Sequence, residues 1–230
     1  MSYSRRQFVV GLGTSTLAAT VPAMAAKHMS CPFRLAVIND EITQDFGHAC
    51  EVARKDFGLN WIELRGMWNK SLADLDAKEI AEARRILEKN HLRVTDLASP
   101  LFKVDWPGAP VSRSSERRDQ FHADFDFKQQ DQLLERLIEL TNVFETDRIR
   151  CFDFWRLDDQ KPYRAAINDK LREAAEKCAK SNKILLLENE MSCNTATGEE
   201  AAAVLKAIPK PNFMLNWDPA NADMIGATPH

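Results

Sequence analysis

The sequence predicts an α/β protein of the (β/α)8 barrel type, with about six β-α units present in the chain. Short apolar runs rich in Val, Ile and Leu alternate with segments in which apolar residues recur at helical spacing. No Gly-rich dipeptide marks a hairpin between these runs, so we expect neighbouring strands to be parallel. Polar residues stand at the ends of several strands, which favours a barrel over an open doubly wound sheet.

Six strands are predicted from apolar runs that are short and contain β-branched side chains. In chain order they cover residues 34–39, 61–65, 92–97, 148–153, 184–188 and 213–218. The polar residues at or near their ends are Asn39, Glu63, Arg65, Asp96, Asp153, Arg156, Glu188, Asn189, Glu190, Asn216 and Asp218. The turn at 39–44 contains no glycine, which excludes the Gly-rich turn of a dinucleotide-binding unit.

Five helices are predicted between the strands, and three of them have recognisable ends. The first helix stops at Gly58. Two helices begin with the spacing of a capping box. The second helix has Asp76 with Glu79, and the fifth has Thr197 with Glu200. The third and fourth helices carry the apolar-face sets Leu133, Leu134, Leu137, Ile138, Thr141 and Ile167, Leu171, Ala174, Ala175, Cys178. A long polar segment at about 100–128 follows the third strand and precedes the third helix.

The N-terminal segment is predicted to be an export signal. Arg5 and Arg6, followed by Phe8, resemble the twin-arginine signal of bacteria. The mildly apolar stretch behind them is a poor membrane span, and the small residues around Ala25 resemble a signal-peptidase site. We therefore expect a signal peptide at 1–25, a barrel domain at 26–230 and a periplasmic location.

Charge and cysteine content exclude several classes of partner. The chain has 31 basic and 34 acidic residues and a net charge of −3, so no basic surplus predicts binding to nucleic acid or polybasic attachment to a membrane. The five cysteines show no C-x-x-C spacing and an odd count. They are predicted to be buried or half-buried thiols rather than a zinc knuckle or a disulfide framework.

Five short motifs occur in order along the chain. They lie at 40–45, 62–65, 98–100, 187–190 and 216–221. Together they resemble the sugar phosphate isomerase/epimerase family of the xylose-isomerase-like TIM-barrel superfamily, which also contains endonuclease IV. A closed barrel has eight strands and typically about 250 residues, so strands seven and eight are expected to be missing from this 230-residue chain.

The resemblance implies a divalent metal (Mn²⁺, Mg²⁺, Co²⁺ or Zn²⁺) and an acid/base carboxylate. Glu188 and Asp218 match two of the family's four metal ligands, and the other two would lie beyond His230. Glu188 also matches the carboxylate that moves a proton through a cis-enediolate. From the residues alone, a second reading stays open: both carboxylates cap helices or pair with Arg65 or Arg150.

Further candidates concern substrate binding. The substrate-binding candidates are Glu190, Asn189, Glu63, Arg65 and Trp217. Salt bridges for the charged residues and packing for the tryptophan are the alternatives. Asn221 stands where many relatives have histidine, and Lys103 with Trp106 lies in the long loop, a candidate lid.

The expected ligand is a sugar or sugar derivative, and a homo-oligomer that covers the open sheet edge is a further expectation. The leading prediction is a metal-dependent isomerase or epimerase that is inactive if the chain is only a fragment. Three rivals remain: a lyase or hydrolase of oxidised sugars, a phosphodiesterase resembling endonuclease IV, and a non-catalytic carbohydrate-binding remnant. The phosphodiesterase is disfavoured because the strand ends carry almost no histidine.

Overall fold

The computed structural model describes residues 33–110 and 125–226. The proposed signal peptide, the cleavage site after Ala25, Cys31 and the last four residues lie outside these ranges. The fold belongs to the compact unit Leu35–His230. Of the other unit, Met1–Arg34, only the last two residues are described.

The described residues form a parallel sheet with helices between its strands. The strands are β1 Trp61–Leu64, β2 Gly66–Met67, β3 Lys70–Ser71, β4 Arg93–Leu101, β5 Arg148–Cys151, β6 Ile184–Glu188 and β7 Phe213–Asn216. The helices are α1 Asn39–Ile42, α2 Phe46–Lys55, α3 Ala77–Lys89, α4 Gln130–Val143, α5 Arg164–Lys180, α6 Gly198–Ala207 and α7 Pro219–Met224, with 3-10 turns at Leu72–Asp74 and Phe127–Gln129. The main sheet has the order β1-β4-β5-β6-β7, all neighbours parallel. This confirms the α/β prediction and is consistent with a partial barrel.

The first predicted strand, 34–39, was wrong in extent. Only Ile38 forms a bridge, parallel to Glu63, and helix α1 begins at the next residue, Asn39. Asn39 is fully buried, and its side chain holds the end of β1: it accepts from the Arg65 N–H at 2.9 Å and donates to the Gly66 carbonyl. Asn39 is therefore a structural residue that joins α1 to β1.

Asn39→Ala should lower the free energy of unfolding by about 2 kcal/mol, because it leaves a buried N–H and a carbonyl without partners. Urea unfolding of the full chain measures this change. Asn60→Ala, at an exposed asparagine, is the matched control and should change the value by about 0.5 kcal/mol or less. Equal effects of the two substitutions would contradict the structural role of Asn39.

The prediction that neighbouring strands are parallel is confirmed in the main sheet, but the chain also contains a small hairpin that was not predicted. Strands β2 and β3 pair antiparallel, with Gly66 opposite Ser71 and Met67 opposite Lys70. The two residues between them, Trp68 and Asn69, both have positive φ, at 54° and 60°. A two-residue turn of this kind matches the twist of the paired strands, and asparagine is one of the residues that tolerates it. This turn contains no glycine, so Asn69 was the residue that could have indicated it in the sequence.

The two faces of the sheet differ in chemistry. Ile149, Leu185 and Phe213 lie side by side in register and are buried in the core formed with the helices. The next residues along the three strands, Arg150, Leu186 and Met214, point to the opposite face because successive side chains alternate. That opposite face also carries Glu188 and Asn216, and it holds the candidate site.

The predicted helix ends are confirmed where local spacing defines them. Asp76 with Glu79 and Thr197 with Glu200 both form complete capping boxes. Gly58, after α2, has a φ of 66°, a value that glycine adopts without strain. Helix α7 was not predicted, although Asp218 at its N-cap and Pro219 at its first position are typical of a helix start.

The described cysteines, Cys50, Cys151, Cys178 and Cys193, are buried free thiols, as the sequence predicts. In residues 33–110 and 125–226, no helix has both the length and the apolar character needed to cross a membrane.

Candidate functional site

Glu188 is the centre of a buried polar cluster at the carboxyl end of β6. It is 9% exposed, and Asn216 of β7 lies opposite it in the sheet register. Asn216 Nδ2 donates to Glu188 Oε2 at 2.6 Å, and Arg150 Nη1 lies 3.4 Å from both carboxyl oxygens. Three neighbouring strands thus fix the orientation of one carboxyl group.

Arg150 is held in place mainly by the backbone of β4. Its Nη2 donates to the Ala98 carbonyl at 2.9 Å and its Nε to the Ser99 carbonyl at 3.3 Å. The guanidinium carbon lies 5.0 Å from the centre of the Phe152 ring, and the residue is 2% exposed. The guanidinium is therefore anchored independently of Glu188.

Burial raises the pKa of Glu188, and the charge of Arg150 opposes this effect. Asp218 and Glu190 raise the pKa further, while Lys103 lowers it. The net direction is upward, so this carboxyl group keeps its proton to a higher pH than an exposed glutamate.

Asp218 does not lie on a strand, contrary to the sequence prediction that placed it at the end of the sixth. Its side chain caps α7: Oδ1 accepts from the N–H groups of Ala220 and Asn221, at 2.7 and 3.1 Å. Asn221 Nδ2 donates to the other oxygen, Oδ2, at 3.0 Å. A carboxylate suits this place because the first backbone N–H groups of a helix have no partners within the helix.

The fit of these residues to a divalent metal is incomplete. Within the described part of the chain, no group of three or more His, Cys, Asp or Glu side chains is arranged to hold a metal ion. The two carboxylates implied by the family resemblance face internal donors, Arg150 and Asn216 for Glu188 and the α7 N-terminus for Asp218. The helix-cap and arginine-pair alternatives are thus what the structure shows, and the metal-ligand role stays a prediction.

Asn189 organises the turn between β7 and α7. Its Oδ1 accepts from the Asp218 N–H and its Nδ2 donates to the Asp218 carbonyl, both at 2.7 Å. Its own carbonyl accepts from Asn221 Nδ2 at 3.0 Å. The side chain of Asn189 is fully buried, so its structural role is established, while contact with a substrate stays a prediction.

Glu190 pairs with Lys103 beside the site. Lys103 Nζ lies 2.9 Å from Glu190 Oε2 and 4.6 Å from the centre of the Phe152 ring. Burial raises the pKa of Glu190, but the charge and hydrogen bond of Lys103 outweigh it and bring the pKa below its ordinary value. Trp217 is 42% exposed and lies beside Gly198, so its ring offers a surface to solvent.

Glu63 belongs to the cluster and Arg65 does not. Glu63 lies close to Asp96, and burial, together with the Asp96 charge, raises the pKa of Glu63 to about 8. Arg65 instead pairs with Asp40 and Glu41, at 2.8 and 2.6 Å. Glu63 and Arg65 are two positions apart on one predicted strand, so the sequence predicted that both face a substrate. In the structure their side chains have different partners.

The sequence analysis gave three residues of this face a smaller role than they have in the structure. Arg150 entered only as an alternative partner of Glu188, Asp96 only as a strand-end residue, and Lys103 only as part of a candidate lid. Lys103 is 3% exposed and Trp106 packs on Phe127 and Phe154, so this part of the loop is packed into the fold. The position of Arg150, a charged residue inside an apolar run, was the sequence signal for its role.

The fold and the site define the chain as a partial parallel barrel whose polar groups meet at the carboxyl ends of its strands. A family model described as Xylose isomerase-like TIM barrel matches residues 52–229. The chain belongs to this family. No curated protein sequence matched the chain.

Several solved structures share the fold. The probable 3-DHS dehydratase AsbF of Bacillus anthracis is similar at 22% identity and a TM-score of 0.63, over 84% of this chain and 65% of its own. A D-psicose 3-epimerase of Clostridium cellulolyticum, solved with D-tagatose, is 14% identical with a TM-score of 0.57, over 82% and 64%. A Mycobacterium smegmatis xylose isomerase-like TIM barrel protein, solved with magnesium, is 18% identical with a TM-score of 0.56, over 76% and 56%. The chain thus spans about two thirds or less of these proteins, and the likeness shows the fold.

Proposed function

We propose that this chain carries the acid/base part of a sugar isomerase or epimerase site, with Glu188 as the group that moves the proton. The observation that carries the proposal is the buried and oriented Glu188 carboxyl group at the end of β6, whose pKa is raised by burial. A carboxyl group with a raised pKa is suited to both accepting and returning a proton near neutral pH.

The contacts of Glu188 indicate which oxygen would act. Asn216 donates to Oε2 at 2.6 Å, whereas among residues 33–110 and 125–226 the donor recorded for Oε1 is Arg150 Nη1 at 3.4 Å. Oε1 is therefore the oxygen less engaged within the described structure. We propose that Oε1 takes the proton from the carbon next to the substrate carbonyl and that Asn216 keeps the carboxyl plane fixed.

The substrate-facing groups proposed are Glu190, Asn189, Glu63 and Trp217. Glu190 and Lys103 form a charged pair that can hydrogen-bond hydroxyl groups, and the exposed Trp217 ring can stack on a sugar face. Arg65, the fifth candidate, pairs with Asp40 and Glu41, so contact with a substrate would compete with these two ion pairs.

A divalent metal, a periplasmic location and assembly into a homo-oligomer remain proposals from the sequence. When bound, a divalent ion would polarise the substrate carbonyl. Because the described residues supply two carboxylates whose oxygens already face other donors, no step is assigned to a metal here.

A dehydratase is the second candidate, and the fold likeness to AsbF favours it. Elimination of water also begins with removal of a proton next to a carbonyl, so it would use the same Glu188 carboxyl. The product separates the two functions: isomerisation retains all oxygen atoms of the substrate, whereas dehydration loses water.

Glu188→Gln should reduce proton exchange at the substrate carbon by about 10²–10⁴-fold, because the amide cannot carry the proton. The full chain is incubated with a panel of ketoses and ketose phosphates in D₂O, and deuterium incorporation is followed by NMR. Glu199→Gln, at an exposed residue of α6, is the matched control and should leave exchange unchanged. If wild type shows exchange that Glu188→Gln retains in full, Glu188 is not the acid/base group.

A further inference from the structure

The face that holds Glu188 gathers three carboxyl groups around one guanidinium. Glu63 of β1, Asp96 of β4 and Glu188 of β6 all act electrostatically on one another or on Arg150 of β5. All four groups lie on the face of the sheet opposite the helix-packed core. Lys103 also lowers the pKa of Glu188 and Arg148 that of Asp96, yet burial leaves the pKa of all three carboxyl groups above its ordinary value.

Burial raises the pKa of both Glu63 and Asp96, and the charge of Asp96 raises that of Glu63 further, to about 8. The charge of Arg150 lowers the pKa of Glu63, Asp96 and Glu188 alike, so this guanidinium acts on all three carboxyl groups.

The contacts of Arg150 show how it serves Glu188. Its shortest hydrogen bond in the cluster, 2.9 Å, goes to the Ala98 carbonyl, whereas the distances to the Glu188 oxygens are both 3.4 Å. The guanidinium is thus fixed by the backbone of β4 and presents its charge symmetrically to the carboxyl group. A cation that approached Glu188 from this side would meet a fixed positive charge.

We propose that Arg150 is a positioning residue that acts as the resident counter-cation of Glu188 and so weakens binding of a divalent ion to this carboxylate. The inference concerns the same carboxyl group as the proposed function and rests on it in no other respect.

Titration of the full chain with MnCl₂ by calorimetry tests the proposal. Wild type should bind Mn²⁺ with a Kd in the millimolar range or weaker. Arg150→Gln should bind at least about tenfold more tightly, since it removes the positive charge next to Glu188. Arg150→Lys, which keeps the charge, should behave as wild type, and adding Glu188→Gln to Arg150→Gln should abolish the gain. A purely structural role of Arg150 would not produce this pattern.

Arg148→Gln is the control for loss of a nearby positive charge, because Arg148 lies two residues earlier on the same strand, pairs with Asp147 and acts on Asp96, whereas Arg150 acts on Glu188. It should leave Mn²⁺ affinity as in wild type. The proposal is overturned if a folded Arg150→Gln binds no more tightly than wild type, or if Arg148→Gln gives the same gain. If Arg150→Gln does not fold, wild type decides: micromolar Mn²⁺ binding that disappears in Glu188→Gln would contradict the proposal. These titrations measure no turnover, so their outcome is independent of the proton-exchange test of the function.

Discussion

Replacing Asp153 with alanine should lower the free energy of unfolding by about 3–5 kcal/mol, because it breaks a buried charge network. Asp153 is fully buried. Its Oδ2 accepts from Arg164 Nη1 at 2.8 Å and from the Thr195 hydroxyl at 2.6 Å, and its Oδ1 accepts from the Thr195 N–H at 2.8 Å. The substitution leaves all three donors without this partner. The network joins the segment after β5 to the start of α5 and to the loop after β6.

Urea unfolding with a spectroscopic probe measures the loss. Asp169→Ala is the matched control, because Asp169 pairs with an arginine as well, Arg172, but is 64% exposed in its side chain. The control should have little effect, since exposed ion pairs contribute little. A loss below about 1 kcal/mol for Asp153→Ala would show that the network does not stabilise the fold.

Glu63→Gln should raise the stability of the protein at pH 8 and remove part of its dependence on pH. The pKa of Glu63 is raised in the folded state from an ordinary 4.5 to about 8, so between these pH values the folded protein binds more protons than the unfolded chain. The stability present at low pH is therefore lost as the pH rises towards about 8. Burial is the main cause, followed by the charge of Asp96; Glu188 adds to the effect and Arg150 opposes it.

The difference in unfolding free energy between Glu63→Gln and wild type should grow by up to about 1.4 kcal/mol per pH unit in this window. Chemical unfolding at pH 5, 6, 7 and 8 measures it. Glu88→Gln, whose side chain is 74% exposed, is the matched control and should change little with pH relative to wild type. A constant difference between Glu63→Gln and wild type across the series would mean that Glu63 holds no proton in the folded protein.

Local features of the sequence predicted local structure well. Both capping boxes involve residues three apart, so their hydrogen bonds form whatever surrounds the helix, and the structure contains them at Asp76 and Thr197. The hairpin at Trp68 and Asn69 was missed because a two-residue turn without glycine carries little compositional signal. The strand at 34–39 was overextended because an apolar run does not show that Asn39 turns away to hold the end of β1.

The candidate site was predicted in part. Glu188 was located correctly at the end of a parallel strand, since an apolar run that stops at a carboxylate is visible in the sequence. The role of Asp218 as the cap of α7 could not be separated from that of a ligand, because either role places a carboxylate after a strand. Glu63 and Arg65 share strand parity, yet only Glu63 faces the cluster, since Arg65 is drawn to Asp40 and Glu41 of α1.

By itself, the sequence determined the alternation of strands and helices, the α/β class and most of the buried face of the five predicted helices, because these depend on the periodicity of apolar residues over a few turns. Only the tertiary structure decided which charged groups meet. Arg150 and Glu188 are 38 positions apart and lie on neighbouring strands, and Glu63 and Asp96 come from another neighbouring pair. Their contacts depend on strand order and register, which are set by packing over the whole sheet, and on the cost of burying charge, which exists only once the surrounding chain has excluded water.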